Sequence, residues 1–146
     1  MSDVHALIAA GVTMFVSLVG EYGSDEYYGK KYPAKMNWGG KCLHLPVMDF
    51  EVPEEKNAVR WVRFLRNMIA KGEVVYVHCR GGHGRTGTVV IPLVSATCGV
   101  GYEDARAHTV ISTNQNRRSD WGWIVDMPET PEQAEMAKSV CMRVRS

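Results

Sequence analysis

The residues best suited to chemistry lie in one short segment, which runs from His78 to Gly87. A cysteine stands near its start, Cys79, and an arginine near its end, Arg85, and three of the five residues between them are glycine. An apolar, β-branched run precedes the segment and a second apolar run follows it, which predicts a buried strand, a loop and a buried helix. Loop amides and a helix N-terminus together attract an anion. The segment is therefore expected to hold a phosphate against a cysteine thiolate, which is a nucleophile.

The segment also differs in an informative way from the nucleotide-binding pattern G-x-x-x-x-G-K-[ST]. Gly84 and Thr86 match that pattern, but Cys79 replaces its first glycine and brings covalent chemistry. Arg85 replaces the lysine, and its planar guanidinium can bind two phosphate oxygens at once. The Thr86 hydroxyl is expected to donate a hydrogen bond to Cys79 and to ease departure of the thiolate. His78 has two interpretations, ordering of the loop through backbone carbonyls or direct proton transfer, and we favour ordering.

Cleavage of a phosphate monoester also needs an acid, because the departing alkoxide or phenoxide must take up a proton. Asp49 is our candidate, since it follows the end of a predicted strand and precedes the helix that leads back to the cysteine strand. The same carboxylate would then serve as the base for the water that hydrolyses the phosphocysteine. Glu51 is the alternative acid.

The elements that must position these residues alternate between helix and strand. Periodicity, capping residues and β-branched runs predict helices over 3–10, 53–72, 85–97 and 102–112 and from 130 onward, with strands over 12–19, 41–47 and 74–78. Pro53 is expected to open the second helix, and Thr130 and Gln133 form a capping box for the last one. This order predicts an α/β fold with a central, mainly parallel sheet flanked by helices, in which the cysteine strand is interior. The first helix begins close to Met1, which leaves open that an N-terminal strand is missing.

The length, net charge and cysteine count of the chain are those expected of an ordinary soluble domain. Its 146 residues suit a single domain, and its net charge of +1 argues against binding nucleic acid through bulk electrostatics. No apolar run reaches the roughly 20 residues of a membrane span, and the N-terminus has no signal-peptide character. Four cysteines without a C-x-x-C pair indicate a reducing compartment, and we expect Cys42, Cys98 and Cys141 to be core thiols. We expect a cytoplasmic, monomeric enzyme without a metal or a cofactor.

The loop resembles the H-C-x-x-G-x-x-R-[ST]-G signature of the cysteine-dependent protein tyrosine phosphatases, and residues 49–53 resemble the D-x-x-x-P acid loop of the small dual-specificity phosphatases. The likeness extends from the first predicted strand to the final helix. It implies hydrolysis of phosphotyrosine, and also of phosphoserine or phosphothreonine, through a phosphocysteine intermediate. Cys79 would be the nucleophile and Arg85 a phosphate ligand. Thr86 would assist the second step, and Asp49 would act as acid and then base. The phosphate would be bound by the loop at Arg80, Gly81, Gly82, His83, Gly84 and Arg85.

Several alternatives stay open. The stretch from Gly20 to Lys41, rich in tyrosine and lysine, is either a solvated connection or a wall of the substrate cleft. A polar segment lies where related enzymes place residues near the hydrolytic water or a second phosphate, and it is otherwise a surface turn; its candidates are Gln115, Arg117 and Arg118.

The reaction also has competing interpretations. The substrate is a phosphorylated protein or another phosphomonoester, such as a phosphoinositide or an RNA 5′-phosphate. A catalytically silent phosphoprotein-binding module would need neither a thiolate nor the acid Asp49. A sulfur-transfer enzyme would use Cys79 but would not require Asp49.

Overall fold

The helices and strands follow the predicted α/β order. The computed structural model describes residues 3–20, 26–27, 30–31, 41–48, 51–79, 84–116 and 127–145. Its helices are α1 (Asp3–Ala9), α2 (Glu55–Ala70), α3 (Gly84–Cys98), α4 (Tyr102–Asn116) and α5 (Pro131–Val144). Its strands are β1 (Met14–Val19), β2 (Glu26–Tyr27), β3 (Lys30–Lys31), β4 (Lys41–Val47) and β5 (Val75–His78).

A three-stranded parallel sheet forms the centre of the described chain. β1 lies between β4 and β5, and all six of its residues are buried. Ser17 of β1 is in register with His44 of β4 on one side and with His78 of β5 on the other. β2 and β3 pair with each other in an antiparallel ribbon. Because the three central strands are parallel, their carboxyl ends meet at one edge, which is where open α/β sheets bind ligands.

The main hydrophobic core lies on one face of this sheet. Val16 and Leu18 of β1 belong to the same buried cluster as Val62 of α2, Val89 of α3 and Val140 of α5. α3 packs against α2, α4 and α5, so the helix that follows the cysteine loop is the most enclosed one. α1 covers part of the opposite face of the sheet, where its side chains pack on a buried phenylalanine of β1. The loop is therefore anchored at both ends by core elements.

The cysteine strand is less enclosed than we predicted. Val75, Tyr76 and Val77 of β5 are half-buried, and among the described residues β5 pairs with β1 alone. A β-branched run predicts that a strand forms, because such side chains fit a pleated surface. It does not determine how many neighbouring strands the fold supplies.

The helix limits differ by a few residues from those predicted. α2 begins at Glu55 with Glu54 as its N-cap, so Pro53 precedes the helix instead of opening it. The capping box of α5 is confirmed: Thr130 accepts from the backbone of Gln133, whose side chain accepts from the backbone of Thr130.

α4 extends to Asn116, beyond the predicted end near residue 112. Its buried positions include Ala105 and Thr109, whereas Ile111 is 56% exposed. Thr109 can be buried because its hydroxyl donates to the Ala105 carbonyl at 2.8 Å. None of the described helices has the length and apolar character that crossing a membrane requires.

The cysteines outside the loop do not share one environment. Cys141 is buried, and this burial raises the pKa of its thiol. Cys42 is half-buried, and Cys98 is exposed at the end of α3, so the expectation of a core thiol is wrong for Cys98. All four cysteines of the chain are free thiols.

Candidate active site

The candidate site lies at the carboxyl edge of the parallel sheet. β5 ends at His78, and Cys79 follows it directly with 1% of its surface exposed. α3 begins five residues later, at Gly84. The fold therefore delivers the cysteine from the end of a strand and the arginine from the first turn of a helix.

A hydrogen bond joins the two ends of the loop. Thr86, in the first turn of α3, donates its hydroxyl to the Cys79 sulfur at 3.0 Å, as the sequence predicted. Both side chains are buried, so the interaction is shielded from water. A hydroxyl that donates to sulfur stabilises the thiolate more than the thiol, since hydrogen bonds to charged groups are the stronger ones.

Arg85 connects the loop to the neighbouring strands. Its side chain is 2% exposed, and Nη1 donates to the Val47 carbonyl at the end of β4 at 2.7 Å. The same carbonyl accepts from the Gly20 amide, just beyond the end of β1, at 3.2 Å. The carboxyl ends of β1 and β4 therefore converge on the guanidinium. A buried guanidinium at a helix N-terminus gives the site positive potential, which favours an anionic ligand.

His78 is a neutral histidine within the sheet. Burial, with a smaller contribution from the His44 imidazole, lowers the pKa of His78 to about 4. Its ring stacks on Tyr76, with centroids 5.9 Å apart. His44 is itself tied to β1 by a hydrogen bond of 2.8 Å between Nε2 and the Val19 carbonyl. An imidazole that is uncharged at neutral pH has no acidic proton of its own to deliver, which favours the ordering interpretation of His78.

The candidate acid, Asp49, lies outside the described residues, but both of its flanks are placed. Val47 holds Arg85 through its carbonyl, and two residues of trans chain reach at most about 8 Å from Cα to Cα. After the gap, the Glu51 amide donates to the Met48 carbonyl at 3.1 Å. The alternative acid, Glu51, is exposed. The described residues on both sides of Asp49 are thus bonded to each other, and Val47 is bonded to Arg85.

The remaining predicted site residues fall into two groups. Gly84 is buried at the first position of α3. The other loop residues, Arg80, Gly81, Gly82 and His83, lie outside the described residues, as do Arg117 and Arg118 and the side chain of Gln115.

The chain re-enters the described structure at Met127, next to the loop helix. Met127 is buried, and a Cβ on Gly87 of α3 would lie 3.2 Å from its Cβ. Its carbonyl accepts from Arg106 Nε of α4 at 3.0 Å. Met127 is therefore packed against the first turn of α3, the turn that also carries Arg85 and Thr86.

Two contacts of the site were missed by the sequence analysis. The carbonyl of Val47 is a backbone group with no side-chain signal, and it meets Arg85 only because β4 ends where α3 begins. Gln133 was identified as a cap of α5, yet its amide also donates to the Glu51 carbonyl at 3.4 Å. The capping pattern identified Gln133, but no neighbouring residue in the sequence indicates its contact with Glu51, 82 positions away.

The profile of the family described as "PTP-SAK: Swiss Army Knife protein, DSP-PTPase phosphatase domain" matches residues 1–136. The chain belongs to this family. It is a small dual-specificity phosphatase-like member of the cysteine-dependent tyrosine phosphatase superfamily, and its fold is that of the dual-specificity phosphatases. The predicted resemblance and the predicted fold class are both confirmed.

Individual relatives agree with this assignment. The chain is 29% identical, over 121 residues, to 197R of Invertebrate iridescent virus 6, a protein provisionally named a tyrosine phosphatase; the match covers 79% of this chain and 43% of that one. The crystal structure of Tk-PTP in its active form superposes with a TM-score of 0.68 at 26% identity, over 98% of this chain and 88% of that one. PTPMT1 in complex with PI(5)P gives a TM-score of 0.65 at 21% identity, over 97% and 84%. The chain spans about two fifths of the length of the curated viral relatives it matches.

Proposed function

We propose that this phosphatase hydrolyses phosphomonoesters through a covalent phosphocysteine at Cys79. The observation that carries the proposal is the 3.0 Å hydrogen bond from Thr86 to the Cys79 sulfur, in a buried site next to the buried guanidinium of Arg85. This arrangement combines a stabilised nucleophile with a cation for the phosphate. A binding module would need the cation but not the sulfur and its hydroxyl donor.

In the first step, the Cys79 thiolate attacks phosphorus and forms an S–P bond while the ester P–O bond breaks. The electron pair of that bond leaves with the substrate oxygen, which takes a proton from Asp49. Arg85 and the amides of residues 80–85 bind the phosphoryl oxygens. Support for the position of Asp49 comes from its covalent distance to Val47, whose carbonyl holds Arg85.

In the second step, water attacks phosphorus and the S–P bond breaks. Asp49, now a carboxylate, takes the proton of the water, and inorganic phosphate is released. The electron pair returns to sulfur, where the Thr86 hydroxyl stabilises the emerging thiolate. His78 orders the strand end as a neutral group and takes no part in proton transfer. No metal or cofactor enters either step.

We propose phosphotyrosine in a protein as the preferred substrate, with phosphoserine and phosphothreonine also accepted. The provisional name of the viral relative supports this choice. A phosphoinositide is the second candidate, because PTPMT1, which shares the fold, has been crystallised with PI(5)P. We further propose one catalytic domain over residues 1–146 and a cytoplasmic location, which the four free thiols support.

A substrate panel with matched variants tests the proposal. Phosphotyrosine, phosphoserine and phosphothreonine peptides and water-soluble PI(5)P are offered to the wild type and to Cys79→Ser under reducing conditions. Release of phosphate is expected to be fastest from the phosphotyrosine peptide, and to be lost in the variant for every substrate. Faster hydrolysis of PI(5)P would transfer the assignment to phosphoinositides. No turnover of any substrate by the wild type would favour the binding module instead.

A further inference from the structure

The side chain of Gln133, in the first turn of α5, lies among three segments of the candidate site. It is 1% exposed and is one of the largest fully buried side chains in the described chain. A buried carboxamide must find partners for both its oxygen and its nitrogen, because an unpaired polar atom in the interior is costly. The positions of these partners show which segments of the chain Gln133 connects.

The oxygen of Gln133 completes the cap of α5. Oε1 accepts from the amides of Glu129 and Thr130 at 3.0 and 3.1 Å, while the Gln133 amide donates to the Thr130 hydroxyl at 3.1 Å. Two N–H donors on one atom fix the orientation of the carboxamide, since the NH₂ group could not replace the oxygen there. The nitrogen must therefore face away from the helix cap.

The nitrogen of Gln133 reaches the segment that follows the candidate acid. Nε2 donates to the Glu51 carbonyl at 3.4 Å. Glu51 is bound back to Met48 by its amide, so this carbonyl belongs to the short stretch that encloses Asp49 in sequence. Asp49 precedes Glu51 by two residues, which keeps their Cα atoms within about 8 Å.

The same carboxamide also packs against the end of residues 80–85, which we call the phosphate loop. A Cβ added to Gly84 would lie 2.9 Å from both Nε2 and Oε1 of Gln133. Gly84 directly precedes Arg85, so the flat amide lies between the start of α3 and the Glu51 end of residues 48–51, which we call the acid segment. Gln133 thus contacts both Glu51, two residues after Asp49, and Gly84, the residue before Arg85.

We propose that Gln133 is a positioning residue, which holds the acid segment at the distance from the phosphate loop that proton delivery requires. The inference rests on the proposed function, in which Asp49 protonates the leaving group. Loss of the Glu51 hydrogen bond would loosen the acid without touching the nucleophile. The defect is therefore expected for leaving groups that need a proton and not for those that depart readily as anions.

The test compares kcat/KM for phenyl phosphate, whose leaving group is strongly basic, with kcat/KM for para-nitrophenyl phosphate, whose leaving group is weakly basic. Gln133→Glu keeps the cap acceptors but has no NH₂ to donate, and Gln133→Met is a second variant of similar size. Both are expected to lower kcat/KM for phenyl phosphate about tenfold more than for para-nitrophenyl phosphate. The control Thr130→Ala removes the hydroxyl of the cap but leaves the Glu51 bond, and is expected to leave the ratio of the two substrates unchanged.

Asp49→Asn separates the failure of this inference from the failure of the proposed function. The asparagine variant is expected to show the largest selective loss on phenyl phosphate, and adding Gln133→Met to it should not increase that selectivity. If Asp49→Asn is selective but both Gln133 variants slow the two substrates equally, the positioning role is overturned while the proposed acid stands. If Asp49→Asn lowers kcat/KM equally for both substrates, Asp49 is not the acid. The proposed mechanism is then overturned, and with it the inference that rests on it.

Discussion

At the scale of single residues, the side chains of the site have hydrogen-bond partners at very different distances along the chain. Cys79 follows a strand and Thr86 lies seven positions later in the first turn of the next helix, so residue type and spacing were enough to predict their hydrogen bond. Arg85 was also predicted as a site residue from its type and spacing, but it donates to the carbonyl of Val47, 38 positions away. Backbone partners at such separations depend on the fold and leave no mark in the sequence.

Removing the Thr86 hydroxyl tests the second chemical step. Thr86→Ala is expected to lower kcat by about 10- to 100-fold, since a hydrogen bond to a charged group contributes roughly 1.5–3 kcal/mol. The phosphocysteine should accumulate, because its sulfur leaves without a donor. Rapid quenching followed by mass spectrometry measures the phosphorylated fraction, and Thr86→Ser is the control that keeps the hydroxyl. An equal phosphorylated fraction in the Ala and Ser variants would contradict the role of Thr86.

The neutral His78 predicts a pH dependence of stability. Its pKa is about 4 in the folded protein and about 6.5 when exposed, so the unfolded chain binds more protons between these values. The free energy of unfolding should therefore fall as the pH drops from about 6.5 to about 4, by at most about 3 kcal/mol from this group.

Urea denaturation at intervals across that range measures this fall. The His78→Gln variant, whose side chain does not titrate, should show a shallower dependence on pH than the wild type. Parallel curves for the two proteins would show that His78 is not the group responsible.

At the scale of elements, the site is assembled where three strand ends and two helix starts meet. The ends of α2 and α3 were predicted to within two residues, because capping residues and glycines mark them, whereas α4 extends to Asn116, four residues beyond its predicted end. The prediction of an interior cysteine strand failed, because side-chain type does not determine how many neighbouring strands the fold supplies. β5 is only half-buried although its sequence suits an interior strand.

The contact between the starts of α3 and α5 predicts a preference for glycine at position 84. Gly84→Ala would place a Cβ 2.9 Å from two atoms of the buried Gln133 amide, and overpacking of this kind costs about 1–3 kcal/mol. Gly101→Ala is the matched control, since its Cβ would meet only Arg145 Nη1 at 4.0 Å. Thermal denaturation should show a clear loss of stability for the first variant and little change for the second. Equal melting temperatures would show that α5 does not press against the loop helix.

At the scale of the whole molecule, the sheet brings together residues that lie far apart in the chain. Segments near residues 20, 47, 79 and 85 converge because three parallel strands end at one edge and the loop helix starts there. The family and the fold follow from this architecture together with the loop signature. The substrate does not follow from them. The stretch from Gly20 to Lys41, which the sequence suggests as a cleft wall, lies mostly outside the described residues, and Arg117 and Arg118, suggested near the hydrolytic water or a second phosphate, lie outside them as well.

The most direct test of the proposed mechanism is whether a phosphoryl group becomes covalently bound to Cys79 during turnover. The wild type is mixed with para-nitrophenyl phosphate, quenched in acid within the first turnover and analysed by peptide mass spectrometry. One phosphoryl group is expected on the peptide that contains Cys79, and neither this adduct nor turnover is expected in Cys79→Ser. Full turnover by Cys79→Ser, or a phosphoryl group on a different residue, would contradict the proposed mechanism.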